Sequence, residues 1–316
     1  MSDHAEIVEV AAAVITRPDG KFLLARRPEG KPYAGYWEFP GGKAMTDEPL
    51  PRTLQRELQE ELGIHVESAY PWITRTFSYP HATVRLHFYR IMEWHGEPQP
   101  HENQALSWQH APRPEVEPML PANAPILRAL DLPSVYAITR ATEIGIPVTL
   151  GHLQAALKQG LRLIQVREKN MTKEALADFA CTVISLARPH SVRVLVNCDT
   201  GDADFYRGAG ADGIHLSAAR LMALKKRPDI EWCGASCHNA EELFQAEQME
   251  MDFVVLGPVL PTLSHPDCSP LGWRKFAAMI GGCSMPVYAL GGLRKDDLAA
   301  AWEHGAHGVA LMRGIA

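Results

Sequence analysis

Cysteine is missing from the first half of this 316-residue chain; all six, Cys181, Cys198, Cys233, Cys237, Cys268 and Cys283, lie in the second. None forms a CxxC pair, and reduced, buried thiols are expected of them, with Cys198, on the third strand of an expected barrel, and Cys237, next to His238, singled out as exceptions to watch. Also missing are a signal-like N-terminus and any apolar run of about 18 residues, so the chain is expected to be cytoplasmic with no membrane partner. Positive charge is not in excess. Lys and Arg number 31 against 37 Asp and Glu, a net charge of -6 that argues against direct nucleic-acid binding, which needs basic patches.

What is present is core-forming material: 46% of residues are hydrophobic and 22% charged, the balance of a soluble globular protein. The length predicts two domains. A proline-rich stretch, APRPEVEPMLPANAP, leads to a change of pattern near residue 131. From Val135 onward, short apolar runs alternate with helical periodicity. The candidate strands are VYAIT, RLIQVR, RVLVNC, DGIHL, EWCGAS, FVVLGP, PVYALG and GVALM, and eight strands alternating with helices predict an α/β (β/α)₈ barrel over 132–316. The chain ends soon after the eighth, leaving room for little of a last helix, so apolar barrel surface is expected to need a cover.

The densest chemistry lies in GKAMTDEPLPRTLQRELQEELGI, from Gly42 to Ile64. Glu57, Glu60 and Glu61 stand at i, i+3 and i+4, on one face of an expected helix. Three like charges there repel unless cations neutralise them, and carboxylate oxygens suit Mg²⁺ or Mn²⁺. Thr46 or Asp47 is the expected N-cap, Pro49 and Pro51 fall in the first turn, and Gly63 suits a left-handed C-terminal residue. Glu38-Phe39-Pro40-Gly41-Gly42 reads as a loop whose backbone can approach a ligand closely. The competing reading is a solvated helix laced with i,i+4 pairs.

Gly42, Glu48, Arg56, Glu57, Leu58, Glu60, Glu61, Gly63 and Ile64 fill every fixed position of the Nudix box, and the segment resembles that family. The resemblance implies an α/β/α sandwich with a mixed sheet over 1–131 and hydrolysis of nucleoside diphosphates linked to a further group. It implies Glu57 and Glu61 as main metal ligands, Gly41 adding a carbonyl, Glu60 assisting and Arg56 orienting Glu57. The stretches FLLARRP, YWEFPGGK and PANAPIL extend the likeness to the MutT type, the 8-oxo-dGTP diphosphatases. By that likeness Glu102 is a ligand or base. Arg27 and the Glu38, Phe39, Pro40 and Gly41 segment contact the nucleotide, Tyr79 flanks the base and Asn123 reads the purine edge. From the residues alone, Arg27 reads equally as a surface arginine, Phe39 and Tyr79 as packing aromatics and Asn123 as a helix cap. Pro32 stands where MutT-type proteins can carry a polar ligand contact.

On the barrel, the strand ends place Gln165, Arg167, Lys169, Asn197, His215, His238, Gly291, Gly292 and Arg313 on the face where such barrels bind ligands. Together with IQVREK, GADGIHL, GPVLPT and ALGGL they resemble the thiamine phosphate synthase and thiazole tautomerase family. That implies a thiazole or thiamine phosphate as ligand. Departures count: Cys198 and Arg220 stand where synthases carry metal-binding Asp, and His265 where they tend to carry Lys. Synthase chemistry is therefore in doubt, while His238 matches the tautomerase acid/base position or else serves the next helix as a cap. Three functions are left: a MutT-type 8-oxo-dGTP hydrolase, a bifunctional thiamine-metabolism protein, or a hydrolase carrying a non-catalytic regulatory barrel.

Overall fold

The computed structural model describes residues 7–197, 203–262 and 269–315. The chain divides into two compact units, Met1–Asp131 and Leu132–Ala316. The first runs β1 (Val8–Ile15), β2 (Phe22–Arg26), β3 (Trp37–Glu38), β4 (Gly41–Lys43), α1 (Leu50–Leu62), β5 (His65–Tyr79), β6 (Ala82–His95), β7 (Leu106–Gln109) and α2 (Ala124–Leu130). A mixed sheet has the order β4-β1-β6-β5, with β1 and β6 parallel, and a smaller antiparallel sheet has the order β3-β2-β7.

The alternation of β1 makes the layers. Ala11, Ala13 and Ile15 share an apolar core with Leu54, Leu58 and Leu62 of α1, whereas Ala12 and Val14 share another with Ile126 and Leu127 of α2. Side chains of successive strand residues point to opposite faces, so one strand feeds both cores and a helix covers each face. The three α1 leucines, spaced at four, are completely buried, each contributing at most about 1.5–3 kcal/mol.

Helix α1 starts later than the sequence reading expects. Pro49, extended at ψ 133°, is the N-cap, with no side-chain cap from Thr46 or Asp47. A proline disfavours helical geometry in the residue before it, so Pro49 stops the helix from reaching back. Glu48, just before it, accepts hydrogen bonds from the Met45 N–H at 3.1 Å and the Thr53 hydroxyl at 2.9 Å. Gly63 closes the helix at φ 68° and donates back to the Gln59 carbonyl. The expected loop before α1 is instead two short strands around Phe39 and Pro40. The Ala13 N–H donates to the Pro40 carbonyl at 2.7 Å, and Gly41 and Gly42 pair with Ala12 and Ala11.

The second unit is a closed parallel barrel of β8 (Val135–Ile138), β9 (Leu163–Val166), β10 (Arg193–Asn197), β11 (Gly213–Leu216), β12 (Trp232–Cys237), β13 (Phe253–Leu256), β14 (Val287–Leu290) and β15 (Gly308–Leu311). Helices α3 (Ala141–Ile144), α4 (Ile146–Lys158), α5 (Lys173–Ala187), α6 (Ala203–Gly208), α7 (Ala218–Met222), α8 (Ala240–Gln248), α9 (Gly272–Ile280) and α10 (Leu298–Glu303) connect them. After β15 the described residues form no helix. Tyr136, Phe253, Tyr288 and Trp232 fill the inside of the barrel, and a larger core lies between strands and helices. Of the described cysteines, Cys233, Cys237 and Cys283 are buried, but Cys181 is exposed on α5, contrary to the expectation of buried thiols. Cys198 and Cys268 lie outside the described residues. No described helix is long and apolar enough to cross a membrane.

Candidate active site

Arg56, on α1, organises the acidic face. Its Nε and Nη2 each donate to Glu48 at 2.9 Å, a two-pronged contact, while Nη1 donates to Glu57 at 2.8 Å and to Glu60 at 3.3 Å. The guanidinium, then the Met45 N–H, hold the Glu48 carboxyl down at about 2. Glu48 is thus the anchor that fixes Arg56, and Arg56 fixes Glu57, as expected of a planar fork on a carboxylate. Glu57 is half-buried over Gly42, where a side chain would overlap its carboxylate. Glu60, by contrast, points to solvent.

Glu61 lies one turn on from Glu57. Burial, then the nearby charges of Glu102 and Glu57, pushes its carboxyl up to about 7. Glu102 reaches it from the loop between β6 and β7. That loop is tied down: the Glu102 N–H donates to Gln104 Oε1 at 2.7 Å, and Gln104 Nε2 donates to the Glu61 carbonyl at 2.9 Å. Lys31, absent from the sequence reading, donates to Glu102 at 2.7 Å.

Glu57, Glu61 and Glu102 therefore adjoin, with Glu60 beside them on the solvent side. Among the described residues no three His, Cys, Asp or Glu side chains are gathered closely enough to hold a metal ion. The chemistry of the donors, rather than their present spacing, suits one. The set consists of carboxylate oxygens, the hard donors that Mg²⁺ and Mn²⁺ take, and the Glu61 carboxyl is raised by burial first and by the charge of Glu102 second.

Next to this face lies a second cluster. Arg27 donates through Nη1 to Glu38 at 2.6 Å and through Nε to the Pro32 carbonyl at 2.7 Å, so Pro32 steers Arg27 with its backbone. Burial raises the Glu38 carboxyl, against the opposing charges of Arg27 and Lys31. Tyr79 receives a hydrogen bond from the Ala122 backbone, and burial, then the charge of Glu38, raises its phenol. Asn123 is 4% exposed and holds the N-cap position of α2 without a side-chain cap hydrogen bond; its Nδ2 donates instead to the Trp37 carbonyl at 3.4 Å. Phe39 packs in the core between Phe22 and Phe88, so only its backbone can face a ligand. Tyr33, also missed, meets Tyr79 edge-on with centroids 5.2 Å apart.

The barrel residues are less gathered. Gln165 is buried inside, donating to the Tyr136 hydroxyl at 3.1 Å; His215 beside it contacts the same hydroxyl at 3.3 Å and Ser236 at 3.0 Å. Burial, then Arg167, pulls the His215 pKa down to about 3, so it is a neutral core group. The Arg167 N–H donates to Thr139, Lys169 is exposed, and Asn197 ends β10 half-buried. His238 is held by Glu242 through its N–H at 2.6 Å and Nδ1 at 3.0 Å, and the cap of α8 is Asn239 instead. Arg313 pairs with Glu143 at 3.4 Å. Gly291 and Gly292 take φ of 102° and 68° and have no room for a side chain against Pro258 and Leu260. Arg220 stands on α7, its N–H donating to the Ser217 hydroxyl. Cys198 and His265 lie outside the described residues.

The family model for the NUDIX domain matches residues 7–130, and that for thiamine monophosphate synthase matches residues 135–315. A CTP pyrophosphohydrolase of Escherichia coli is 40% identical over 124 residues, 39% of this chain and 91% of the relative. An 8-oxo-dGTP diphosphatase of Haemophilus influenzae is 36% identical over 125 residues, 40% of this chain and 92% of the relative. A putative thiamine-phosphate synthase 2 of Aquifex aeolicus is 32% identical over 183 residues, 57% of this chain and 96% of the relative. The chain thus belongs to two families joined in sequence, Nudix in its first unit and thiamine monophosphate synthase in its barrel.

Proposed function

We propose that the first unit hydrolyses a nucleoside triphosphate to its monophosphate and diphosphate, with 8-oxo-dGTP as the leading substrate. As a Nudix hydrolase it acts on phosphoanhydrides. The observation that carries the reading is the stretch from Arg27 to Lys31 after β2, whose Arg27 pairs with Glu38 at 2.6 Å and whose Lys31 pairs with Glu102 at 2.7 Å, so that one short segment ties the base-side cluster to the acidic face. A bound divalent cation would neutralise phosphate oxygens and make hydroxide available near neutral pH. Glu57 and Glu61, with the Gly41 carbonyl, would hold it, and Glu60 would assist from the solvent side. Arg56 keeps Glu57 in place through Glu48. Glu102 serves as a further ligand or takes the proton of the attacking water.

Base choice is assigned to Asn123. With Nδ2 given to the Trp37 carbonyl, its Oδ1 is left to accept. The protonated N7 of 8-oxoguanine donates there, whereas N7 of guanine is itself an acceptor, and the mismatch costs about 1–3 kcal/mol. Tyr79 flanks the base, and Arg27 with the backbone of Glu38, Phe39 and Pro40 grips the nucleotide. A second reading is CTP, favoured by the 40% identical relative and by the cytosine amine, also a donor. Steady-state kinetics with 8-oxo-dGTP, dGTP and CTP decide between them. A preference for 8-oxo-dGTP over dGTP above about tenfold is expected, and equal kcat/KM overturns the assignment.

For the barrel the reading is a phosphate-bearing thiazole or thiamine ligand held at Gly291 and Gly292, whose open backbone suits a phosphate. Gln165, Arg167, Lys169, Asn197, His238 and Arg313 complete that candidate set. Calorimetry of the whole chain with a thiazole phosphate tests it; no heat of binding would leave a regulatory barrel as the reading.

A further inference from the structure

The loop between β2 and β3 is closely tied to its own stem. The Arg26 Nε donates to the Gly35 carbonyl at 3.1 Å, Arg27 Nε to that of Pro32 at 2.7 Å, and the Gly35 N–H to that of Arg27 at 2.9 Å. This presents Lys31 to the acidic face from a part of the chain remote from the Nudix box. Its ammonium sits 2.7 Å from Glu102 Oε2, and each side chain is a little under half exposed, 45% and 44%. Burial would lower the Lys31 pKa, yet the hydrogen bond to Glu102 and the charges of Glu102, Glu61 and Glu38 raise it instead. Lys31 therefore lies in the field of three carboxylates at once.

We propose that Lys31 is a resident counter-cation of the acidic face, neutralising Glu102 in the free protein and competing there with the divalent metal. The proposal rests on the reading that Glu57, Glu61 and Glu102 hold that metal. A cation already paired with Glu102 must give way before the carboxylate can ligate another, so metal alone binds more weakly than the carboxylates would otherwise allow. The loss of one partly exposed pair is worth a modest factor, because solvent screens both charges.

Mn²⁺ binding to the whole protein without nucleotide, followed by electron paramagnetic resonance, tests this on wild type, Lys31→Met, Lys31→Arg and Glu57→Gln. Lys31→Met is expected to bind Mn²⁺ about two- to fivefold more tightly, and Lys31→Arg like wild type. Unchanged or weaker binding by Lys31→Met overturns the proposal, the weaker case meaning that Lys31 merely orients Glu102. Binding by Glu57→Gln as tight as wild type contradicts the metal reading itself, and no binding by wild type sinks both.

Discussion

The carboxylate of Glu57 occupies the space that a side chain on Gly42 would need. Two neighbouring glycines, Gly41 and Gly42, therefore serve different ends. At Gly41, φ is 141° and a side chain would overlap the Ala11 carbonyl, which is backbone and cannot yield. At Gly42 the obstacle is the far end of a flexible side chain.

Gly42→Ala is accordingly expected to fold and to lower kcat by about 10–100-fold, since it displaces Glu57 by roughly an ångström. Gly41→Ala is expected to destabilise the protein by about 1–3 kcal/mol. Thermal melts beside kcat on both variants check this; the contrast fails if Gly42→Ala keeps full activity.

Asn123→Ala removes the base-edge acceptor. The expected outcome is a loss of about 10–100-fold in kcat/KM for 8-oxo-dGTP with dGTP nearly unchanged, so that discrimination collapses. Competition assays on mixed nucleotides measure it, and retained discrimination would move base readout elsewhere.

His215 gives a pH dependence of stability. Its folded pKa, about 3, is below the ordinary 6.5, so between these values the unfolded chain binds the extra proton. Stability from this group is complete above pH 6.5 and is lost as pH falls towards 3, by up to about 1.4 kcal/mol per unit. Urea titrations at pH 7 and 5 should show the drop, and His215→Gln should lessen it. An unaltered pH slope in the variant would mean that His215 is not the group responsible.

Much of this was legible in sequence because it was local. All eight barrel strands were expected, since strands buried on both sides read as short apolar runs. Helices α3, α6 and α7, four, six and five residues long, are too short to show a period of 3.6, so the alternation of strands alone pointed to helices there. Within the site, Arg56 and the glutamates stand together in one motif, and Gly63 takes the left-handed turn expected of it. What sequence hid was contact at a distance. Lys31 and Glu102 are 71 residues apart, and Asn123 and Trp37 86, so neither pairing leaves a local signal. The expected cap failed for a local reason, the backbone preference imposed by Pro49.

The acidic face as the seat of phosphoanhydride hydrolysis is tested most directly by phosphorus NMR of 8-oxo-dGTP turnover by the whole chain with Mg²⁺, wild type beside Glu57→Gln. The account predicts diphosphate and 8-oxo-dGMP from wild type and a rate lower by at least about 100-fold in the variant. Orthophosphate as the first product, or a variant as fast as wild type, would contradict it.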